Sequence, residues 1–329
     1  MKAIVIEEHG GLDKLLIKDV PAPEVKEGEV LVKVYACGIN HLDTWMRRGI
    51  EGKAFPLPLI PGSDVSGVVE NDGGHGGLKG REVVLSPGFS CGACETCLAG
   101  EDVLCRGYGI LGESKNGGLA EYIAVNRRHL IKKNPRLSFE EAASIPLTFL
   151  TAYHMLVTRG NIRKGETVLV HAGASGVSSA AIQIAKLCGA VVITTAGSRE
   201  KAEFAMSLGA DHAIFYRDED FATRVKEINN GKMVDMVLDH VGGETFVRSL
   251  GIIKPGGRIV FCGTTTGRKV EIDLRRVFFR NISILGSTMG NFNELVKVFE
   301  LFDKGLLKPT VTKVLPVREV REAHRMMAG

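Results

Sequence analysis

The chain alternates between two hydrophobic periods, and the change of period divides it. Over residues 1–36, short runs of β character (Ala3–Ile6, Leu15–Val20 and Glu29–Tyr35) are punctuated by Pro21, Pro23 and Gly28. A turn into a short helix follows at 37–49, then a proline-stiffened loop at 55–62, then strand-like runs at Ser63–Glu70 and Arg81–Ser86. This part reads as a compact, mostly β domain. Ser138-Phe-Glu-Glu is a capping box, and it opens a helical pattern that reaches Gly160 with a break at Pro146. From Gly165 the pattern becomes strand, helix, strand. Thr167–His171 is β-branched, Ala181, Ile184, Ala185, Leu187 and Cys188 mark a helix face, and Val191–Thr195 is β-branched again. Further strand runs stand at Ala213–Tyr216, Met233–Leu238, Arg258–Cys262 and Ile282–Gly286; helical stretches ending at Ala210 and near Phe221–Ile228 and Glu244–Leu250 precede the first three. Six strands with helical crossovers predict an α/β fold with a doubly wound parallel sheet in two mononucleotide-type halves. Residues Asn293–Lys304 and the end of the 308–329 tail read as helices.

The first strand-to-helix turn carries the first candidate chemistry. Gly173, Ala174, Ser175, Gly176 and Val177 are small enough to let the backbone approach a pyrophosphate at a helix N-terminus, where free N–H groups and a positive partial charge meet it. The turn departs from G-x-G-x-x-G, because Ser175 and Ser178 stand where the second and third glycines would be. Such turns also occur with no nucleotide, and the flanking strands are what favour one here. The end of the second strand is more specific. An acid there would bond the ribose 2′-hydroxyl of NAD, whereas this chain has Ala196 followed by Gly197, Ser198, Arg199 and Lys201. A small, hydroxyl-bearing, basic turn suits a 2′-phosphate and hence NADP(H). The plain alternative is a solvated turn with Ser198 as helix cap.

Composition narrows the class. With 329 residues, 44% apolar and 24% charged, the chain has room for two domains of an ordinary globular protein. A net charge of +4, with its basic residues dispersed, argues against a nucleic-acid partner. No apolar run reaches membrane-spanning length, and Met1–Val5 enters a strand rather than a signal peptide, so a cytoplasmic protein with no membrane partner is expected. Four of the seven cysteines, Cys91, Cys94, Cys97 and Cys105, are separated by two, two and seven residues. That spacing brings thiolates around one tetrahedral ion with no vacant position, a structural zinc. Cys37, Cys188 and Cys262 stand alone and read as small buried apolar residues.

Over nearly its whole length the sequence resembles the medium-chain dehydrogenase/reductase superfamily, which includes zinc alcohol dehydrogenases and quinone oxidoreductases. The resemblance is carried by Gly38-Ile-Asn-His-Leu-Asp43, Pro61-Gly-Ser-Asp-Val-Ser-Gly67, the Cys91–Cys105 lobe, Leu150-Thr-Ala-Tyr153 and His171-Ala-Gly-Ala-Ser-Gly-Val177. It implies a mostly β GroES-like catalytic domain over 1–150, with the zinc lobe at 88–108. A Rossmann nucleotide domain follows over 151–285, and the chain returns to the catalytic domain over 286–329. It also implies cofactor contacts at His41, Tyr216, Asp239, Val241, Cys262, Gly263, Thr264, Leu285, Gly286 and Ser287. In that family a catalytic zinc is held at positions that fall here on Asn40, Ser63 and Leu147, and none of these is a zinc ligand of the usual thiolate, imidazole or carboxylate kind. The hydroxyl and histidine of the family's proton relay fall on Leu42 and Trp45. In these positions the chain is similar to the quinone oxidoreductase branch, except that it keeps the structural zinc lobe. The family pattern continues beyond Met326-x-x-Gly329 with a short strand.

The expected function is therefore an alcohol dehydrogenase-like oxidoreductase that moves hydride between NADPH and a ketone, aldehyde, quinone or activated alkene without catalytic zinc. Asn40, Ser63 and Arg47 are the candidate donors to a developing oxyanion. Arg47, with Arg48 beside it, has a second reading as a solvated basic turn, and Trp45 has one as core packing. The alternative function is NADPH binding without turnover, as in crystallin-like members of the branch. The resemblance also places Ile282–Gly286 at an open sheet edge and so implies a homodimer or homotetramer.

Overall fold

The computed structural model describes residues 1–74 and 76–328; Gly329 lies outside the described residues. In chain order the strands are β1 Lys2–Val5, β2 Leu16–Asp19, β3 Glu29–Gly38, β4 Asp64–Asn71, β5 Glu82–Leu85, β6 Gly88–Phe89, β7 Gly109–Ile110, β8 Tyr122–Asn126, β9 Leu130–Lys132, β10 Thr167–Val170, β11 Val191–Ala196, β12 His212–Phe215, β13 Val234–Asp239, β14 Ile253–Phe261 and β15 Ser283–Gly286. The helices are α1 His41–Arg48, α2 Glu95–Leu98, α3 Phe139–Ala143, α4 Pro146–Tyr153, α5 Gly176–Leu187, α6 Arg199–Ser207, α7 Phe221–Ile228, α8 Gly243–Ser249, α9 Leu274–Phe279, α10 Phe292–Asp303 and α11 Val320–Ala328. The chain forms two units. One comprises Met1–Leu147, Asn291–Asp303 and the stretch from Lys308 onward; the other comprises Thr148–Gly290 with Lys304–Leu307.

The first unit is built on a five-stranded antiparallel sheet in the order β8-β3-β4-β5-β9. Its inward residues, among them Val30, Val32, Val65, Val69, Val83 and Leu85, are at most 3% exposed. Each such side chain contributes about 1.5–3 kcal/mol through burial. The pairing of β3 and β4 is close enough that only glycine fits at Gly67, where a Cβ would lie 2.1 Å from the Lys33 carbonyl oxygen. A second cluster around Ile4, Ile6, Leu15, Met46 and Leu119 joins β1 and α1 to Val320 of α11.

The second unit has the expected six parallel strands, in the order β12-β11-β10-β13-β14-β15. This is the doubly wound order, which reverses direction beside β10 and leaves the carboxyl ends of β10 and β13 adjacent. Leu169, Ile193, Ile214, Val237 and Ile259 form its core, each fully buried. Ser138 caps α3 as expected, with its Oγ accepting from Glu141 N at 3.1 Å and its own N donating to Glu141 Oε2 at 2.8 Å. The helix then stops, and α4 restarts at Pro146, whose missing N–H costs nothing in a first turn.

Three local expectations change. The strand expected from Arg258 starts at Ile253, because Pro255-Gly256-Gly257 forms a bulge within it; the register jumps from Val234 opposite Ile253 to Met236 opposite Arg258. Leu187, assigned to the buried face of α5, is 43% exposed, while Ser178 to Ala185 are all buried. The enclosed part is the middle of the helix, since Gly176 in its first turn is exposed as well. The helix α9 had no hydrophobic period to announce it, and it exposes Leu274, Phe278 and Phe279 by 66, 58 and 75%. No helix among the described residues is long and apolar enough to cross a membrane.

Candidate active site and cofactor turn

In the first unit, the segment from β3 into α1 and the segment into β4 bring two carboxylates together. Asp43 sits in the first turn of α1, where its Oδ2 accepts from the Asn40 backbone N at 2.7 Å and its Oδ1 from Gly62 N at 2.9 Å. Asp64 opens β4, and its Oδ1 accepts from Leu147 N at 2.8 Å and its Oδ2 from the Asn40 side-chain amide at 2.9 Å. Both aspartates are 1% exposed. Burial pushes Asp43 up to about 6, against the pull of its backbone N–H donors. Burial pushes Asp64 up to about 7, with the Asn40 and Leu147 donors pulling down and the Asp43 charge pushing further up. Cys37 lies in the same enclosure; burial, then Asp43 and Asp64, hold its thiol well above the ordinary range. Gly62, at φ +100°, is required there, since a Cβ would stand 2.6 Å from Cys37 Sγ.

These contacts place two of the three sequence-derived donors differently from expectation. Asn40 is 7% exposed, and its side-chain amide donates one N–H to Asp64 Oδ2. Ser63 is fully enclosed and its Oγ has no partner. The chain just before it pairs with the 117–119 segment, Gly117 N, Gly118 N and Leu119 N donating to Ile60 O, Gly62 O and Pro61 O at 2.7, 2.8 and 3.0 Å. Arg47 is a correction. It is 2% exposed, its Nη1 donates to Gly10 O at 2.6 Å and its Nε to His324 Nδ1 at 3.4 Å. Its guanidinium ties α1 to the N-terminal loop and to α11, so neither an oxyanion contact nor a solvated turn describes it, whereas Arg48 is exposed. His41 and Trp45 are half-buried and meet edge to face, ring centres 5.1 Å apart.

The four cysteines of the lobe converge. Their Sγ atoms all lie within 4.8 Å of one another, with Cys91–Cys97, Cys94–Cys97 and Cys91–Cys105 at 3.8, 3.5 and 3.5 Å. Thiolates bound to a tetrahedral zinc at about 2.3 Å stand about 3.8 Å apart, so the donor set fits the ion. Cys94 N and Gly107 N donate to Cys91 Sγ and Cys105 Sγ at 3.4 and 3.3 Å, which stabilises thiolates. Among the described residues this is the one group of three or more Cys, His, Asp or Glu ligand atoms gathered closely enough for an ion.

In the second unit, the turn after β10 is held by a hydroxyl–imidazole network. Ser249 Oγ donates to Thr245 O at 2.8 Å, so it accepts from His171 Nε2 at 2.8 Å. The other ring nitrogen then accepts from Thr195 Oγ1 at 3.3 Å. Burial keeps His171 neutral, lowering it to about 3. Gly173 N donates to Thr195 O at 2.9 Å, and a Cβ on Gly173 would lie 2.2 Å from Thr194 Oγ1. Ser175 caps α5, as its residue type predicts, and the N–H groups of Gly176 and Val177 in the first turn have no helical acceptor. Ala174 is half-buried beside them.

At the end of β11, Ser198 caps α6 by accepting from Lys201 N at 3.3 Å, and Arg199 and Lys201 are exposed. Ala196 pairs with Phe215, which sets Tyr216 over Gly197; a Cβ on Gly197 would be 2.8 Å from the tyrosine hydroxyl. The carboxyl ends of β13, β14 and β15 carry the other expected cofactor residues side by side. Asp239 Oδ1 accepts from Val241 N and Gly242 N at 2.6 and 3.1 Å, while its Oδ2 and Ser287 Oγ are buried without partners. Cys262 N donates to Asp239 O at 3.1 Å, with Gly263 and Thr264 following it, and burial raises the Cys262 thiol to about 12. Leu285 pairs with Val260 and Gly286 with Phe261.

The raised Asp64 carboxyl has a consequence for stability. The folded chain retains a proton on it that the unfolded chain releases near pH 4, so this group's contribution is complete below about pH 4 and is lost as pH rises through about 7. Asp64→Asn removes this loss. In urea unfolding between pH 4 and 8, the variant's stability relative to the parent should rise with pH; a difference that does not change with pH would contradict the assignment.

A family model described as zinc-binding dehydrogenase matches residues 176–304, and one described as alcohol dehydrogenase GroES-like domain matches 26–135. An alcohol dehydrogenase of Geobacillus stearothermophilus is 33% identical over 333 residues, covering 100% of this chain and 97% of that protein. A quinone oxidoreductase of Homo sapiens is 30% identical over 336 residues, covering 98% of this chain and 93% of the other. A crystal structure of an NAD-dependent alcohol dehydrogenase, 45% identical, matches with a TM-score of 0.96 over 100% of this chain and 96% of that one. With the β-rich unit, the doubly wound sheet and these full-length matches in agreement, the chain belongs to the medium-chain dehydrogenase/reductase superfamily of oxidoreductases.

Proposed function

We propose that this oxidoreductase transfers hydride between NADPH and an electrophilic ketone, aldehyde, quinone or activated alkene without a catalytic metal. The observation that carries the reading is the Asp64 carboxylate. It joins the Asn40 amide and the Leu147 backbone, two of the three positions at which zinc-dependent members of the family hold their ion, and it adjoins the third, Ser63. An amide, a hydroxyl and an alkyl chain are poor zinc ligands, but an amide held on one side by a carboxylate is a pre-set donor on the other. Such a donor can polarise a carbonyl that is already electrophilic. Stabilising an alkoxide from a simple alcohol is the task that zinc performs. Reduction should therefore outrun alcohol oxidation.

For the cofactor, the turn Gly173, Ala174, Ser175, Gly176 and Val177 would hold the pyrophosphate and Gly197, Ser198, Arg199, Lys201 and Tyr216 the adenosine 2′-phosphate. His41, Asp239, Val241, Cys262, Gly263, Thr264, Leu285, Gly286 and Ser287 would contact the remainder. One solved relative carries NAD in its name; the preference for NADP(H) here rests on the basic turn after Ala196. Cys91, Cys94, Cys97 and Cys105 would hold one structural zinc per chain, and a reducing cytoplasm would keep those thiols free for it. A homodimer or homotetramer follows from β15, the outermost strand of its sheet, whose free edge suits pairing with a second copy.

Three measurements test this reading. Asn40→Ala should lower kcat for an enone or quinone by about 10²–10³-fold with a smaller change in KM, the cost of losing one oxyanion donor; NADPH binding with no oxidation across a panel of carbonyls, quinones and enones would instead favour binding without turnover. Replacing Arg199 and Lys201 together with alanine should weaken NADPH by about tenfold or more and leave NADH nearly unchanged, since each charge-assisted bond to the phosphate is worth about 1.5–3 kcal/mol. Equal losses for both cofactors would overturn the choice of NADP(H). Cys97→Ser should reduce bound zinc below one per chain and lower the melting temperature. A variant that keeps its zinc would contradict the four-thiol site.

A further inference from the structure

His240, the residue after β13, has no part in the motifs that suggest nucleotide binding, yet it reaches the turn that carries them. Its Nε2 lies 2.8 Å from Ser175 Oγ and 2.9 Å from Ser178 Oγ. The hydrogens in this cluster can be assigned by elimination. Ser178 has one hydroxyl hydrogen, and its Oγ stands 2.6 Å from the His171 carbonyl oxygen. A carbonyl only accepts, so the Ser178 hydrogen goes there. Toward His240 the same oxygen must then accept, and Nε2 must carry a hydrogen. This holds whether the imidazole is neutral or charged.

The consequence falls on Ser175. Its Oγ accepts from Ser178 N at 3.3 Å as the helix cap, and it shares the Nε2 hydrogen of His240. Both of its lone pairs are then engaged, and Nε2, already protonated, cannot receive the serine's own hydrogen. The one polar function left to the Ser175 hydroxyl is donation to a ligand, at the N-terminus of α5 where anions are favoured. We propose that His240 is a positioning residue of this turn: it fixes the Ser175 hydroxyl as a hydrogen-bond donor to the pyrophosphate oxygens of the dinucleotide. This rests on the reading that the turn binds such a cofactor. It also gives a role to the serine that replaces the second glycine of the usual motif, since a glycine there would supply no side-chain donor.

The test is a set of dissociation constants for NADPH, followed by its fluorescence, and for adenosine 2′-phosphate, which has no pyrophosphate. His240→Phe keeps the ring and removes the donor. It should weaken NADPH by about tenfold, the scale of one hydrogen bond to a charged group, and leave adenosine 2′-phosphate within about twofold. His240→Gln, which restores an N–H, should recover most of the loss. In a Ser175→Ala background, His240→Phe should cost nothing further. Unchanged NADPH binding in His240→Phe, an equal loss for adenosine 2′-phosphate, or a full loss persisting without Ser175 would each overturn the proposal. Should His240→Phe fail to fold, Ser175→Ala alone must weaken NADPH, and its failure to do so overturns the proposal equally. A parent protein that binds neither NADPH nor NADH would remove the cofactor reading itself.

Discussion

A carboxylate enclosed in a protein must be surrounded by donors or hold a proton, and Asp64 does some of each. Two N–H groups meet it, one from the Asn40 side chain and one from the Leu147 backbone, yet burial still raises its carboxyl to about 7. Around it the start of α1, the start of β4 and the chain just inside α4 take up fixed positions. Asp43 repeats the device one layer away by holding the Asn40 and Gly62 backbone N–H groups. Hydrogen bonds to the two aspartates tie these three segments together and orient the amide of Asn40.

The second unit meets a related requirement with hydroxyls. A strand-to-helix turn that is to receive phosphate must keep its own polar groups satisfied while leaving donors outward. His171, Thr195, Ser249 and Ser178 pair with one another inside the turn, and each hydrogen in that network has one consistent assignment. What remains outward is the first-turn backbone N–H groups of α5 and, on the inference drawn from His240, the hydroxyl of Ser175.

Most of this architecture was legible in the residues. The β-branched runs and their helical crossovers announced the six parallel strands, and Ser138 and Ser198 announced helix starts, because caps act through local geometry. The four-thiol cluster was legible for the same reason, since tight cysteine gaps leave little freedom. Arg47 was misread: its partners, Gly10 and His324, are distant in sequence and set by how α1 packs against α11, which no local pattern encodes. Ser63 looked like an available hydroxyl because its enclosure comes from tertiary packing, which no local pattern encodes. The strand begins earlier than its β-branched run, at Ile253, because the bulge at Pro255–Gly257 lies within it.

Metal content and turnover, measured on one preparation, test the central claim most directly. The account predicts one tightly held zinc per chain and NADPH-dependent reduction of a quinone or enone that persists after a chelator has removed loosely bound metal. Two zincs per chain, with brisk ethanol oxidation that the chelator abolishes while the fold stays intact, would contradict it.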